Sequence, residues 1–151
     1  MEKCAYCEIV KGLQPCHKIW ENDEFLAFLS IFPNTDGFTI LITKEHLPAY
    51  IFDLPDDMLN KFIVAAKTVA KLLDSKLDDV GRTGLIVEST GVNHAHIKLI
   101  PMHGTKNISK WKPTSSYLDK YFKKYEGYLS SHDSTRKSDN ELEKIAKKIR
   151  N

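Results

Sequence analysis

No stretch of this chain approaches the roughly 18 consecutive apolar residues that a membrane-spanning helix needs, and its opening, MEKCAYCEIVKG, holds no apolar signal segment. Those two absences argue against a membrane or secreted protein, and a cytoplasmic one is expected. Cysteine is scarce, at Cys4, Cys7 and Cys16. An odd count does not build a disulfide framework, which leaves metal binding or free thiols. Internal repeats and low-complexity linkers are absent too, so 151 residues suit one domain with a continuous core. Apolar and charged fractions of 42% and 28% are those of a soluble globular chain.

The formal net charge of +2 hides an asymmetry. Residues 1–104 carry 10 Lys/Arg against 14 Asp/Glu, and residues 105–151 carry 12 against 6. The basic tail has its lysines at helical spacing among acids, the pattern of a solvated helix face, so no nucleic-acid partner is expected.

After the Cys4-x-x-Cys7 pair comes a short apolar segment, Ile9 and Val10, closed by Gly12. Two short strands follow around HKIW and FLAFLS, broken at Glu21–Glu24. A turn at residues 33–37 then leads into a strand at Phe38–Thr43. Short connections imply an antiparallel meander. Asp53-Leu54-Pro55-Asp56-Asp57 signals a helix start, with a capping side chain, an early proline and acids at the positive end of the dipole. Leu59, Phe62, Ile63, Ala66, Val69, Ala70 and Leu73 continue it as one apolar stripe that should lie across a sheet. Val80–Ser89 reads as a further strand, turned at Thr90 and Gly91 into a last one to form a hairpin. In the tail, residues 116–125 have a helical pattern between Ser116 and Gly127, and residues 130–137 read as loop. Ser138 and Glu141 form a capping-box signature ahead of a helix whose apolar face is Leu142, Ile145, Ala146 and Ile149.

The last strand, TGVNHAHIKLIP, carries the chemistry. Side chains alternate along a strand, so His94, His96, Lys98 and Ile100 share one face, and Ala95, Ile97 and Leu99 the other. Two imidazoles about 7 Å apart and an ammonium build a core poorly, and neutral imidazole is both nucleophile and metal ligand. The plainer alternative is a pair of exposed histidines on an edge strand. Cys4-x-x-Cys7 has the spacing of half a zinc site, with free thiols as its alternative. A thioredoxin-like redox pair would need a strand ahead of the motif, and only three residues precede it. Cys16 reads as a small half-buried residue, and His46 and His103 as surface residues. His132, in a polar loop near Arg136, is a further candidate for an anionic ligand.

Taken together, the Cys-x-x-Cys pair, a strand ending in Lys44-Glu45-His46, an amphipathic helix and Gly91-Val92-Asn93-His94-Ala95-His96-Ile97 resemble the histidine triad (HIT) superfamily of nucleotide hydrolases and transferases. The resemblance runs from about Cys4 to Pro101. It implies an α+β fold, with an antiparallel sheet of about five strands, one long helix across it, and commonly a homodimer. Residues 1–104 would be the HIT domain, and 105–151 a helical C-terminal extension packed on it. It also implies a closed structural zinc site of Cys4, Cys7, His46 and His94, and puts the nucleophile on His96.

Where the family has a third histidine this chain has Lys98, which keeps a cation near the expected α-phosphate. The uridylyltransferase branch, with glutamine there, also lacks that histidine. The loop of Ser89, Thr90 and Asn93, which could donate to phosphate, is shorter than the family's Gly-Gln loop. Ser30 stands where many members carry an acidic or amide residue before Ile31 to meet the ribose. Ile19, Phe28, Ile31 and Phe38 are candidates for a base pocket.

The resulting expectation is a zinc-stabilised enzyme that acts on a nucleotide α-phosphate through a nucleotidyl-histidine, with a dinucleoside polyphosphate or nucleoside phosphoramidate as substrate. A nucleotide-binding regulatory or scaffold protein with little catalysis is the rival. A purely structural zinc module is a third reading, opposed by an exposed His96 and Lys98 face.

Overall fold

The computed structural model describes residues 4–106, 119–125, 129–130, 135–136 and 138–150. Its backbone contacts divide the chain into two compact units, Met1–Lys110 and Trp111–Asn151.

In the first unit a six-residue helix, α1 (Ala5–Val10), follows Cys4 and is closed by Gly12 at φ +71°, a left-handed position that suits glycine. Strands β1 (Lys18–Glu21), β2 (Phe25–Leu29) and β3 (Thr39–Thr43) form the expected antiparallel meander. β3, TILIT, is entirely buried, as its β-branched content favours. Helix α2 (Asp56–Lys76) crosses over before β4 (Thr83–Ile86) and β5 (His96–Pro101). All pairings are antiparallel and the sheet order is β1-β2-β3-β5-β4. The histidine strand is therefore not an edge: β3 flanks it on one side and β4 on the other.

Alternation divides the sheet into two apolar faces. Phe25, Ala27, Leu41, Ile97 and Leu99 point to α2 and meet Phe62, Ala65, Ala66, Val69 and Leu73. Phe62 is fully buried and stacks on Phe25, with ring centroids 5.3 Å apart. Leu26, Phe28, Ile40 and Ile42 point to the opposite face, where Tyr6, Ile9 and Val10 of α1 pack with Cys16 and Phe38. By register, Ile42 is opposite His96 and Ile40 opposite Lys98, so both polar side chains lie on the α1 face.

Several sequence expectations need correction. The residue at the N-cap of α2 is Pro55, without a capping side chain, because Asp53 closes a 3-10 turn, Ile51–Asp53; Asp56 and Asp57 do occupy the first helical turn. Within the helix Ala65 is buried, while Ile63 faces outward at 42% exposure. The strand expected over Val80–Ser89 shrinks to Thr83–Ile86. Gly81 and Arg82 donate their N–H groups to Thr105 Oγ1 in place of a ladder, and Ser89 leaves the extended region at φ +55°. The β4–β5 connection is thus residues 87–95, longer than a tight hairpin turn, and His94 lies just ahead of its strand.

In the second unit, α3 (Asp139–Arg150) is opened by the expected capping box. Ser138 Oγ accepts from Glu141 N at 3.3 Å, and Glu141 Oε2 accepts from Ser138 N at 3.1 Å. Leu142, Ile145 and Ile149 on it are exposed. The helix expected over 116–125 is absent from its described part, 119–125. There Asp119 accepts from the Thr135 backbone and hydroxyl, and Phe122 stacks on Tyr125. Ser116, Gly127 and His132 lie outside the described residues. No described helix is long and apolar enough to cross a membrane.

Candidate metal centre and histidine strand

The segment after β3 is laced to the residues before β5. Ala95 N donates to Leu47 O at 2.9 Å, and Ala49 N donates to Asn93 Oδ1 at 3.2 Å. This stitching brings His46, at the end of one segment, against His94, in the other, with ring centroids 5.1 Å apart.

His94 is fully buried, and its two nitrogens have separate partners. Nε2 lies 2.7 Å from Thr43 O; a carbonyl only accepts, so Nε2 carries the hydrogen and Nδ1 keeps the lone pair. Nδ1 points at the thiols, 3.4 Å from Cys4 Sγ and 3.6 Å from Cys7 Sγ. Burial holds this imidazole below its ordinary pKa, which keeps the ring neutral as a ligand must be. His46 Nδ1 lies 3.2 Å from Cys7 Sγ. All four donor atoms fall within 4.8 Å of one another.

A tetrahedral zinc with Zn–S of about 2.3 Å and Zn–N of about 2.0–2.1 Å has ligand-to-ligand edges of roughly 3.3–3.8 Å. The donor set and its spacing fit that ion. The Thr43 carbonyl supplies the outer partner that fixes ring orientation at metal-binding histidines.

His96 sits next along the chain and is 3% exposed, which corrects the expectation of an exposed side chain. Tyr6 of α1 covers it edge-on, with centroids 5.5 Å apart, and also contacts Phe28 and His94. Burial raises the Tyr6 phenol pKa, with Cys4 adding to it. His96 Nδ1 lies 2.7 Å from His94 O, so it donates there and leaves Nε2 with the lone pair. Nε2 has no hydrogen-bond partner among the described residues. Since no described buried side-chain nitrogen or oxygen is left unpartnered, Nε2 keeps a solvent-facing edge.

Lys98, 29% exposed, is ion-paired with Glu88, whose side chain is 9% exposed. Burial lowers the Lys98 pKa. Ser89, with its left-handed backbone, is partly buried, and Thr90 is exposed. Asn93 spends its carbonyl on Ala49. Ser30 Oγ accepts from Phe32 N, and Ile31 is 71% exposed. Phe28 and Phe38 pack together on the His96 face. Ile19 does not join them: Lys18 is the residue opposite Phe28, so Ile19 alternates into the cluster under α2. Outside the site, His103 is exposed, as expected, and its Nδ1 and Nε2 lie against Asp79 Oδ1 and Asp36 O.

Sequence reasoning missed Tyr6, Thr43 and Glu88. Glu88 had a signal, since a carboxylate two residues beyond Ile86, the cross-strand partner of Lys98, is within diagonal reach of that ammonium. Tyr6 and Thr43 had none, because their roles depend on where α1 and the end of β3 come to rest.

Comparison with known proteins matches residues 11–105 to the HIT domain, a span that begins after Cys4 and Cys7. An uncharacterised HIT-like protein of Methanocaldococcus jannaschii is 32% identical over 132 residues, 82% of this chain and 99% of that protein. The adenosine 5'-monophosphoramidase of Saccharomyces cerevisiae is 30% identical over 129 residues, 84% of this chain and 81% of its own. Among solved structures, a zinc-bound histidine triad family protein from Mycobacterium smegmatis superposes with a TM-score of 0.63 at 24% identity, covering 71% of this chain and 80% of that one. The likeness is one of fold, the α+β fold described above with its five-stranded antiparallel sheet and crossing helix.

Proposed function

The chain belongs to the HIT family, and on that premise we propose that it is a nucleotide hydrolase or nucleotidyl transferase whose nucleophile is His96. The observation that carries the reading is the orientation of that ring. Its Nδ1–H is fixed on a backbone carbonyl, so the Nε2 lone pair is the one available to phosphorus. In the proposed step Nε2 forms a bond to the α-phosphorus of a dinucleoside polyphosphate or nucleoside phosphoramidate. The bond from phosphorus to the leaving group breaks, and the leaving group takes the electron pair, an amine leaving group also taking a proton from solvent. Water or another acceptor then attacks phosphorus and gives its proton to solvent, and the P–N electron pair returns to Nε2. Lys98 takes the place of the family's third histidine and meets phosphate oxygen as a cation.

Cys4, Cys7, His46 and His94 would hold a structural zinc, which supplies cross-linking rather than chemistry because the four-ligand set leaves no open position. Phe38, partly buried, offers apolar surface to a base, while Phe28, expected beside it, is buried in the cluster behind. Ser30, Ile31, Ser89, Thr90 and Asn93 are proposed to border the substrate, and a homodimer in the cytoplasm is the proposed working form.

Nucleotide binding with little turnover is favoured as a second reading by the 3% exposure of His96 beneath Tyr6. One experiment separates the two. The purified protein and H96A are incubated with dinucleoside polyphosphates, nucleoside phosphoramidates and nucleotide sugars, and adducts are sought by mass spectrometry. A nucleotidyl adduct on His96, with turnover lost by at least about 10³-fold in H96A, is the expected result. Equal rates in the two proteins would exclude His96 as nucleophile, and binding without adduct or turnover would select the second reading.

A further inference from the structure

The metal centre is closed by its ligands more than by burial, which leaves its thiol pair open to oxidants in water. We propose that Cys4 and Cys7 are also a modification site: a two-electron oxidant such as hydrogen peroxide joins them in a disulfide, which gives up the zinc and releases the segment that covers His96. This inference rests on the zinc site proposed above and not on the nucleotide chemistry.

Three observations support it. First, the two sulfurs are already neighbours. Cys4 is the N-cap of α1 and Cys7 lies in its first turn, so the two side chains share one turn, and their sulfurs lie within 4.8 Å of each other. Cys-x-x-Cys is also the spacing at which redox-active pairs make and break a disulfide.

Second, the four ligands are unequally covered. His94 is fully buried, Cys4 and Cys7 are half-buried, and His46 is exposed. Cys7 meets the exposed imidazole at 3.2 Å, whereas Cys4 lies 3.4 Å from the buried one, so an oxidant reaches the centre along the His46–Cys7 edge. Third, the cysteines flank the residue that covers the nucleophile. Tyr6 stands between them in sequence, edge-on to His96, on a six-residue helix with no fully buried residue. Letting go of both cysteines therefore frees Tyr6. Cys16, the remaining thiol, packs among Tyr6, Ile9 and Val10 and is not one of the four donors.

As zinc ligands both cysteines are thiolates, the nucleophilic form. The Cys7 sulfur attacks one peroxide oxygen, the O–O bond breaks, hydroxide leaves, and Cys7 becomes a sulfenic acid. The Cys4 sulfur then attacks the Cys7 sulfur; the S–S bond forms, the S–O bond breaks, and a second hydroxide leaves. The pair has given two electrons to the peroxide, and two protons from solvent turn the hydroxides into water. A disulfide carries no thiolate charge, so only His46 and His94 remain as ligands and the divalent ion departs.

The test treats the zinc-loaded full chain, wild type and C16S, with hydrogen peroxide. Released zinc is read with a zinc-binding dye, cysteine states by mass spectrometry of unreduced peptides, and the state of α1 by hydrogen exchange. Both proteins should release about one zinc per chain, contain a Cys4–Cys7 disulfide and exchange faster over residues 4–16, and dithiothreitol with added zinc should reverse all three. Zinc retained throughout, a disulfide that includes Cys16, oxidation of Cys7 without a disulfide, or unchanged exchange over residues 4–16 would each overturn the proposal and leave the zinc site standing. A reduced chain that holds no zinc before peroxide is added would overturn both.

Discussion

At the residue scale, His103 shows how one side chain reports its protonation through its partners. Its Nδ1 lies 2.8 Å from Asp79 Oδ1 and its Nε2 lies 2.9 Å from Asp36 O. Both partners accept, so both nitrogens must donate, and the clamp is complete only in the imidazolium. The Asp36 carbonyl and then Asp79 raise the His103 pKa, and His103 in turn lowers that of Asp79. The sign follows from linkage. A raised histidine gives stability that is fully present below its unfolded value of about 6.5 and lost as pH rises through the higher folded value. A depressed carboxyl gives stability present above its ordinary range and lost as pH falls through the lower folded value. The clamp should therefore be strongest in mildly acidic solution, between those two limits. His103→Gln should lose more stability relative to wild type at pH 6 than at pH 9, measured by urea denaturation at both. A stability difference independent of pH would show that the imidazolium is not the species that bridges Asp79 and Asp36.

Helix α2 is the element on which the folded sheet depends, and its key side chain is legible in the sequence. The 3.6-residue spacing put Phe62, Ala66, Val69 and Leu73 on the inner face, and all four are buried. Phe62→Ala should cost about 3–5 kcal/mol, because a fully buried ring stacked on Phe25 is replaced by a cavity. Chemical denaturation should show it as a lower midpoint with an unchanged slope; a loss below about 1 kcal/mol would mean that the site collapses around the gap. Periodicity worked here, for β1, β2 and β3, and for the capping box of α3, because each is written in residues close together in sequence. It failed where a distant partner decided the outcome. Asp53 could not cap α2 once it closed a separate 3-10 turn. Residues 80–82 could not extend β4 while Gly81 and Arg82 gave their N–H groups to Thr105. Ile19 lies under α2 because Lys18 is the residue opposite Phe28, a register that the alternation pattern of β1 does not encode.

At the scale of the whole molecule, the two faces of the sheet are held by different means. The α2 face is closed by a continuous apolar core, whereas the α1 face is closed by a six-residue helix with no fully buried residue. Such a helix is too short to persist alone. Tyr6, Ile9 and Val10 give it some apolar contact, and the proposed zinc would tie Cys4 and Cys7 to His46 and His94 from two other segments. Metal removal should thus loosen the N-terminal segment and uncover His96 while the α2 core stays folded. With free zinc at about 100 times its Kd, linkage gives about 2.7 kcal/mol, so chelation should lower Tm by about 10 °C for a unit of this size. Hydrogen exchange before and after chelation would locate the change. Faster exchange confined to residues 4–16 and the 44–49 and 92–95 segments is expected, together with about one zinc released per chain. Release of well under one zinc, or an unchanged Tm, would remove the metal from the account. Loss of protection throughout α2 would instead show that the two faces fold as one cooperative unit.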